Sequence, residues 1–196
     1  MKRPTTWFTA DTHFCHRRII ELAKRPFPDF KVMNEALIRA WNERVAPDDV
    51  VWHVGDFACT KRVEEIAPIF HRLNGVKHLI LGNHDVENEG TLALPWASMS
   101  ERKLAHVEHQ MICMDHYPMR TWPRARKGAI HLFGHVHGSL RGTDRSLDVG
   151  VDSWDFKPVS LAEIRRRLAK LPPDPDFRQD KVESEVEDDS APRARF

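Results

Sequence analysis

Cysteine is scarce in this 196-residue chain, and what there is has no pattern. Cys15, Cys59 and Cys113 are odd in number and no two stand at C-x-x-C spacing, which excludes a disulfide framework and a thiolate zinc knuckle. Long apolar runs are also missing: nothing approaches the roughly 20 consecutive residues of a membrane span. The start, Met1-Lys2-Arg3-Pro4, is basic, but the apolar run after it breaks at Asp11 before it could serve as a signal-peptide core. A cytoplasmic protein with no membrane partner is expected. The 9 Gly and 13 Pro exclude a collagen-like chain, and no internal repeat is visible.

What remains is a length suited to one domain with a proper core. The formal net charge is +1, unevenly spread. From Asp174 to Phe196 there are eight acids and four bases, a net of −4, which leaves the body near +5. Residues 1–173 are therefore read as the domain and 174–196 as an acidic, disordered tail. A mildly basic body suits an anionic substrate. Twelve histidines are an unusual surplus, and where they fall matters more than their number.

Apolar periodicity divides the domain into alternating elements. Thr5–Ala10, Val50–Val54, Val76–Leu81 and Ala129–Phe133 read as strands, Leu104–Val107 and Met111–Met114 as a hairpin, and Leu147–Val151 as a further strand. Helices are predicted over His16–Ala23, Lys31–Val45 and Arg62–Leu73, the last kinked or shortened by Pro68. A final helix opens at the capping box Ser160-Leu161-Ala162-Glu163 and runs to about Leu171. Residues 86–103 carry no clear signal. Strands alternate with helices early and with hairpins later, which gives a layered, mixed α/β class.

Five of the apolar runs end in groups able to ligate a metal ion: Asp11-Thr12-His13, Gly55-Asp56, Gly82-Asn83-His84-Asp85, Asp115-His116 and Gly134-His135-Val136-His137. Layered α/β folds bind ligands at the carboxyl ends of their strands, so the five segments can converge. On an extended segment Asp11/His13 and His135/His137 would each aim two donors to one side, because side chains alternate with a period of two. With Asp56, Asn83 and His116 they exceed what one tetrahedral ion uses, so a dinuclear site follows. Oxygen and imidazole donors without thiolate suit Mn, Fe, Zn or Mg.

Taken in order, these motifs resemble the calcineurin-like metallophosphoesterase superfamily, over Thr5 to about Val151, and the stretch Asp11–His16 resembles its small single-domain bacterial and phage members. The resemblance implies a four-layer α/β/β/α sandwich with mixed sheets. It implies two divalent ions, Mn2+ favoured, one on Asp11, His13, Asp56 and His137 and the other on Asp56, Asn83, His116 and His135. It further implies hydrolysis of a phosphate ester by metal-bound hydroxide, with His84 as general acid and Asp85 orienting it. The segment Gly55-Asp56-Phe57-Ala58-Cys59 departs from the Ser/Thr protein phosphatase pattern, and Cys59 stands where many relatives carry an acid.

A phosphodiester, such as a nucleotide or nucleic acid, is the expected partner, with a phosphomonoester close behind. Asn83 is expected to face the substrate as well as an ion. Arg124 and Arg126 in the basic loop after His116 are candidates to hold phosphates, and Trp122 to stack on a base. The alternative is a non-catalytic, metal-binding interaction protein that retains the fold. A complete donor set together with His84 argues against it.

Overall fold

Four short strands line up in parallel and release their chains at one edge. In the computed structural model, which describes residues 3–177, these are β1 (Thr6–Thr9), β2 (Val50–Val54), β3 (Val76–Ile80) and β4 (Ser98–Ser100). A two-residue strand at Val159–Ser160, β9, pairs antiparallel with β1 and completes the order β4-β3-β2-β1-β9. The second sheet has the order β5-β6-β7-β8, from Arg102–Val107, Gln110–Asp115, Ile130–Phe133 and Ser146–Asp148. There β5 and β6 form an antiparallel hairpin, while β6, β7 and β8 run parallel. The mixed α/β class expected from the sequence is the class observed.

Alternation along each strand sorts the side chains between layers. On β2, Val51 faces a cluster with the helices, whereas Trp52 and Val54 face the second sheet. The helical cover consists of α1 (Ile19–Leu22), α2 (Phe30–Asn42), α3 (Val63–Arg72) and α4 (Glu89–Leu92), with Met33, Leu37, Trp41, Ile66 and Phe70 buried against the sheet. Asp29 caps α2 by accepting from the backbone nitrogens of Lys31 and Val32. Between the sheets lie Phe8, Trp52, Ile80, Ile112, Met114 and Leu132, each stabilising the fold by roughly 1.5–3 kcal/mol through lost water contact. The predicted capping box opens α5 (Leu161–Leu168), whose Ile164 and Leu168 reach this inter-sheet core.

The outermost layer over the second sheet is slight. Trp122, Ala125 and Ala129, from the chain between β6 and β7, cover Cys113, and Phe177 closes on Trp122. Phe177 belongs to the expected tail, and so does Asp174, which is buried and accepts from the Thr143 hydroxyl at 3.0 Å. The first four residues of that tail therefore rest on the body, and residues 178–196 lie outside those described. No helix among the described residues is long and apolar enough to cross a membrane.

Other differences have local causes. The helix expected over His16–Ala23 shrinks to the single turn α1: left-handed residues stand at Asp11, His13 and Cys15, and the His16 nitrogen donates to the His13 carbonyl in a turn. Helix α3 runs through Pro68 as one element. In 86–103, α4 and the polar edge strand β4 are short and carry no apolar period. The expected Leu147–Val151 strand ends at Asp148, and a 3-10 turn follows at Val151–Ser153.

Burial of Trp122 at 5% exposure yields a prediction. Trp122→Ala should lower unfolding free energy by about 3–5 kcal/mol in urea titration, with bound metal unchanged.

Candidate metal centre

Parallel pairing decides where the donors meet. Residues after β1, β2 and β3 leave the first sheet at one edge, and those after β6, β7 and β8 leave the second at the facing edge. A parallel bridge between Ala10 and Gly150 joins the two edges, supported by the Val151 nitrogen donating to the Ala10 carbonyl at 3.0 Å. The Asp11 nitrogen donates to the Gly55 carbonyl, and that of His13 to Asp56, so the first two loops run side by side.

The donors are aimed by kinks and not by strand alternation. Asp11, His13, Asp56, His135 and His137 all have positive φ, between 48° and 71°. The expected period-two pairs are therefore replaced by left-handed turns, which Asp and His tolerate better than most residues. Such backbone costs on the order of 1–3 kcal/mol per residue and persists only where surroundings enforce it. Missing β-carbons make the room: one on Gly55 would collide with the His116 ring, one on Gly82 with the Asp56 carboxylate, and one on Gly134 would lie 2.5 Å from Asp11 Oδ2.

Asp56 stands in the middle. His13 Nε2 lies 3.5 Å from Asp56 Oδ2 on one side, and His116 Nε2 lies 3.4 Å from it on the other. Among the described residues three groups have donor atoms within 4.8 Å of one another: Asp11, His13 and His137; His13, Asp56 and His84; and Asp56, His116 and His135. Asn83 joins the last, its Oδ1 being 3.2 Å from His116 Nε2 and 3.0 Å from His135 Nδ1. All seven sequence-predicted ligands are thus brought together.

Two features test whether a cation suits this place. His13 Nε2 is buried and has no hydrogen-bond partner. His116 Nδ1 must donate to the Val54 carbonyl at 2.9 Å, so in the neutral ring Nε2 is a lone pair facing the oxygens of Asn83 and Asp56. Acceptors facing acceptors around buried space repel unless a proton or a cation lies among them. A divalent ion satisfies both.

Buried groups hold these donors from behind. Arg25 grips the Asp11 and Thr12 carbonyls at 2.6 and 3.0 Å and pairs through two nitrogens with Asp152, each at 2.8 Å. Asp152 Oδ2 in turn accepts from His137 Nδ1 at 2.7 Å, which turns His137 Nε2 toward the centre. Asp148 accepts from the nitrogens of Gly138 and Gly150. Asp85 accepts from the backbone nitrogens of Asp56, Phe57 and Gly82 at 2.7, 3.0 and 3.0 Å. Its expected role of orienting His84 is therefore corrected: both oxygens are taken up by backbone, locking the two loops on either side of Asp56.

The exposed His84 is placed differently. Its backbone nitrogen donates to Asp56 Oδ1 at 2.9 Å, and its ring stands edge-on to His13, with centroids 5.0 Å apart. His16 completes the corner, with its Nδ1 3.3 Å from that of His13 and its ring 5.6 Å from His84.

Electrostatics without ions is uncomfortable. Burial pushes the Asp11 carboxyl up to about 7 from its ordinary 3.8. Burial also lowers His13 well below the ordinary imidazole value. For His116 burial works downward too, but the Asp56 carboxylate outweighs it and raises the ring to about 9. Burial would raise Asp56, yet His116 and His13 hold it far below the usual carboxylate range. At Asp152 burial is likewise outweighed, by hydrogen bonds from His137 and Arg25 that lower its carboxyl.

Of the predicted substrate residues Asn83 is at the centre, and Trp122, Arg124 and Arg126 are not. Trp122 is buried, donates through Nε1 to the Ala129 carbonyl at 2.8 Å and stacks on His131, so it offers no face to a base. Arg124 accepts from the Ala129 nitrogen just before β7, and Arg126 lies in the turn beside it. His135 follows the other end of the four-residue strand β7, which at 3.3 Å per residue spans about 13 Å. Arg124 and Arg126 therefore lie at the opposite end of the sheet. His16, Arg25, Asp148 and Asp152 were not expected at the centre. Signals existed for two of them in Asp11-x-His13-x-x-His16 and in Asp152, which closes the expected strand Leu147–Val151.

A two-sheet α/β sandwich with nitrogen and oxygen donors gathered at its strand ends is the architecture of a metal-dependent protein. The chain belongs to the calcineurin-like phosphoesterase family, whose model matches residues 4–118. That match contains Asp11, His13, Asp56, Asn83, His84 and His116, while His135 and His137 join them through the fold. Similar proteins include an uncharacterized protein of Methanocaldococcus jannaschii, 29% identical over 174 residues that cover 84% of this chain and 91% of the relative. The gene 66 protein of Mycobacterium phage D29 is 28% identical over 193 residues, covering 83% and 94%. Among solved structures, a protein of unknown function from Aquifex aeolicus has the same fold, with a TM-score of 0.68 at 23% identity over 84% of this chain and 100% of that one.

Ion binding should depend steeply on pH. Asp11 and His116 bind protons more tightly folded than unfolded, so their contribution to the stability of the ion-free protein falls as pH rises from about 4 through about 9. An ion must displace those protons, so the gain in Tm on adding Mn2+, read by differential scanning fluorimetry, should be larger at pH 8 than at pH 6. Asp152→Asn should weaken Mn2+ binding about 10–100-fold in calorimetric titration, through loss of the His137 tether.

Proposed function

We propose that the protein hydrolyses a phosphate ester at a pair of divalent ions, a phosphodiester such as a nucleotide or nucleic acid being favoured over a phosphomonoester. The observation that carries this reading is the orphaned, buried Nε2 of His13, facing an Asp56 carboxylate that His116 approaches from the other side. Family membership supports ester hydrolysis as the chemistry. Asp11, His13, Asp56 and His137 would hold one ion, and Asp56, Asn83, His116 and His135 the other, with Asp56 shared. Nitrogen and oxygen donors suit Mn2+ first, with Fe, Zn or Mg as alternatives. When bound, such a pair supplies a Lewis-acidic clamp on the phosphoryl group and makes water a usable nucleophile at neutral pH.

The chain's own groups do the rest. Asp85 keeps the Asp56 and Gly82 loops in register, so the two half-sites stay at a fixed separation. Arg25 and Asp152 fix the His137 ring before any ligand arrives, which lowers the ordering cost of binding. Asn83 turns its oxygen toward His116 and His135 and leaves its amide nitrogen to donate to a phosphoryl oxygen. His84 gives its proton to the departing oxygen. It is held by its backbone bond to Asp56 and its packing on His13, and its exposure lets water reprotonate it.

Metal analysis of the purified protein should find two ions per chain, and aryl phosphodiesters should be hydrolysed with Mn2+. Asp56→Asn should lose the ions and the activity together. His84→Ala should retain both ions and lower kcat about 10²–10⁴-fold for alkoxide leaving groups, with a smaller loss for p-nitrophenolate, which needs no proton. Two bound ions with hydrolysis untouched by either substitution would overturn these roles.

A further inference from the structure

We propose that the cavity on the Asn83–Tyr117 side of the centre is a subsite for the retained substituent of a phosphodiester, and that it takes an uncharged planar group of the nucleobase kind. The inference rests on the hydrolytic reading above and adds to it where the second substituent lies and what chemistry it has. The cavity has a volume of about 380 Å³ and includes Asn83, a candidate ion ligand, in its wall. It therefore borders the centre. At this size it lies at the small end of the range, roughly 300–1,000 Å³, that ligand pockets occupy.

Part of its wall is apolar: Leu81 and Met119 also pack against the core, while Val86 and Tyr117 stand in solvent. Leu81, Val86, Tyr117 and Met119 line it, with Val86 56% and Tyr117 47% exposed. The Tyr117 ring stands 4.8 Å from the His135 ring and 5.3 Å from that of His116, so it borders one half of the centre directly. Asp115 fixes it there by accepting from the Tyr117 backbone nitrogen at 3.0 Å. The same carboxylate pairs with Arg102 at 2.8 Å, which offsets the positive charge of this wall, and Glu101 adds a negative one. A second phosphate or a carboxylate would gain nothing here. An uncharged ring that stacks on Tyr117 and offers a ring N–H toward Glu101 would gain on both counts.

Geometry distinguishes the two substituents of a diester. His84 and His16 flank the His13 half of the centre, whereas Tyr117 flanks the His116 and His135 half. With the leaving oxygen beside His84, the substituent that stays on phosphorus extends toward Tyr117. In the reaction the bond from phosphorus to the leaving oxygen breaks and a bond to the oxygen of water forms. One proton of that water is accounted for on the released alcohol, so no further reactant is required. A monoester has no second substituent to place in this cavity.

The test uses Mn2+-loaded full-length protein with the p-nitrophenyl ester of thymidine 5′-monophosphate, methyl p-nitrophenyl phosphate and p-nitrophenyl phosphate. Calorimetric titration with thymidine 5′-monophosphate and with inorganic phosphate gives a readout independent of turnover. The nucleotide should bind about tenfold more tightly than phosphate, and Tyr117→Ala should remove that preference while phosphate binding stays put. In kinetics the same substitution should raise KM for the thymidine ester about tenfold and leave the methyl ester within twofold. Val86→Glu, which leaves the ring in place, should act in the same direction should Tyr117→Ala unfold. Equal binding of nucleotide and phosphate by the wild type, or a uniform loss across all substrates in both variants, would overturn the subsite. Nucleotide preference without any hydrolysis would uphold it and overturn the catalytic reading instead.

Discussion

Everything at this centre depends on keeping a carboxylate, Asp56, between two imidazoles in a place that water barely reaches. Such a cluster is unfavourable as a set of bare groups: burial raises Asp11, lowers His13, and leaves lone pairs of Asn83 and His116 facing each other. The fold tolerates it because the surrounding backbone is committed elsewhere. Asp85 binds three amide hydrogens, Arg25 binds two carbonyls, and glycines at 55, 82 and 134 remove the atoms that would push the ligands apart. Positive charge brought in by ions would convert a strained arrangement into a satisfied one, and this couples cofactor affinity to the stability of the whole domain.

The seven candidate ligands were legible in the sequence because each follows an apolar run and carries a side chain whose chemistry has few other uses at a strand end. Their manner of presentation was not. Alternation suggested extended pairs, whereas the chain uses left-handed residues at 11, 13, 56, 135 and 137. Backbone handedness at Asp and His leaves no trace in composition or period. Supporting residues were harder still: Arg25 and Asp152 are 127 positions apart, and a pair of that separation becomes visible only once the loops are folded together. Trp122 and its arginines misled because a basic loop with an aromatic residue suggests a nucleic-acid surface, while burial alone decides whether the ring is free.

The layers show the same contrast between periodic and aperiodic information. Long amphipathic segments such as α2, α3 and α5 were visible, with ends misplaced by a few residues. The short elements β4, β9 and α4 were not, since they owe their conformation to neighbours and not to their own composition. The outer cover of the second sheet belongs with these. A loop with a single 3-10 turn and one aromatic residue from beyond the last helix do the work of a helical layer, and they do so on the side remote from the chemistry.

The bridge between Ala10 and Gly150 has a consequence for how this chain matures. Its partners are separated by 140 positions, 150 minus 10, so closing it is among the most entropically demanding events available to the polypeptide. Until it closes, the Asp11 and His13 loop and the loops bearing His135 and His137 belong to two undocked sheets. The group Asp11, His13 and His137 is therefore gathered only once residue 150 has docked, so a cation that needs all three would be held late in assembly.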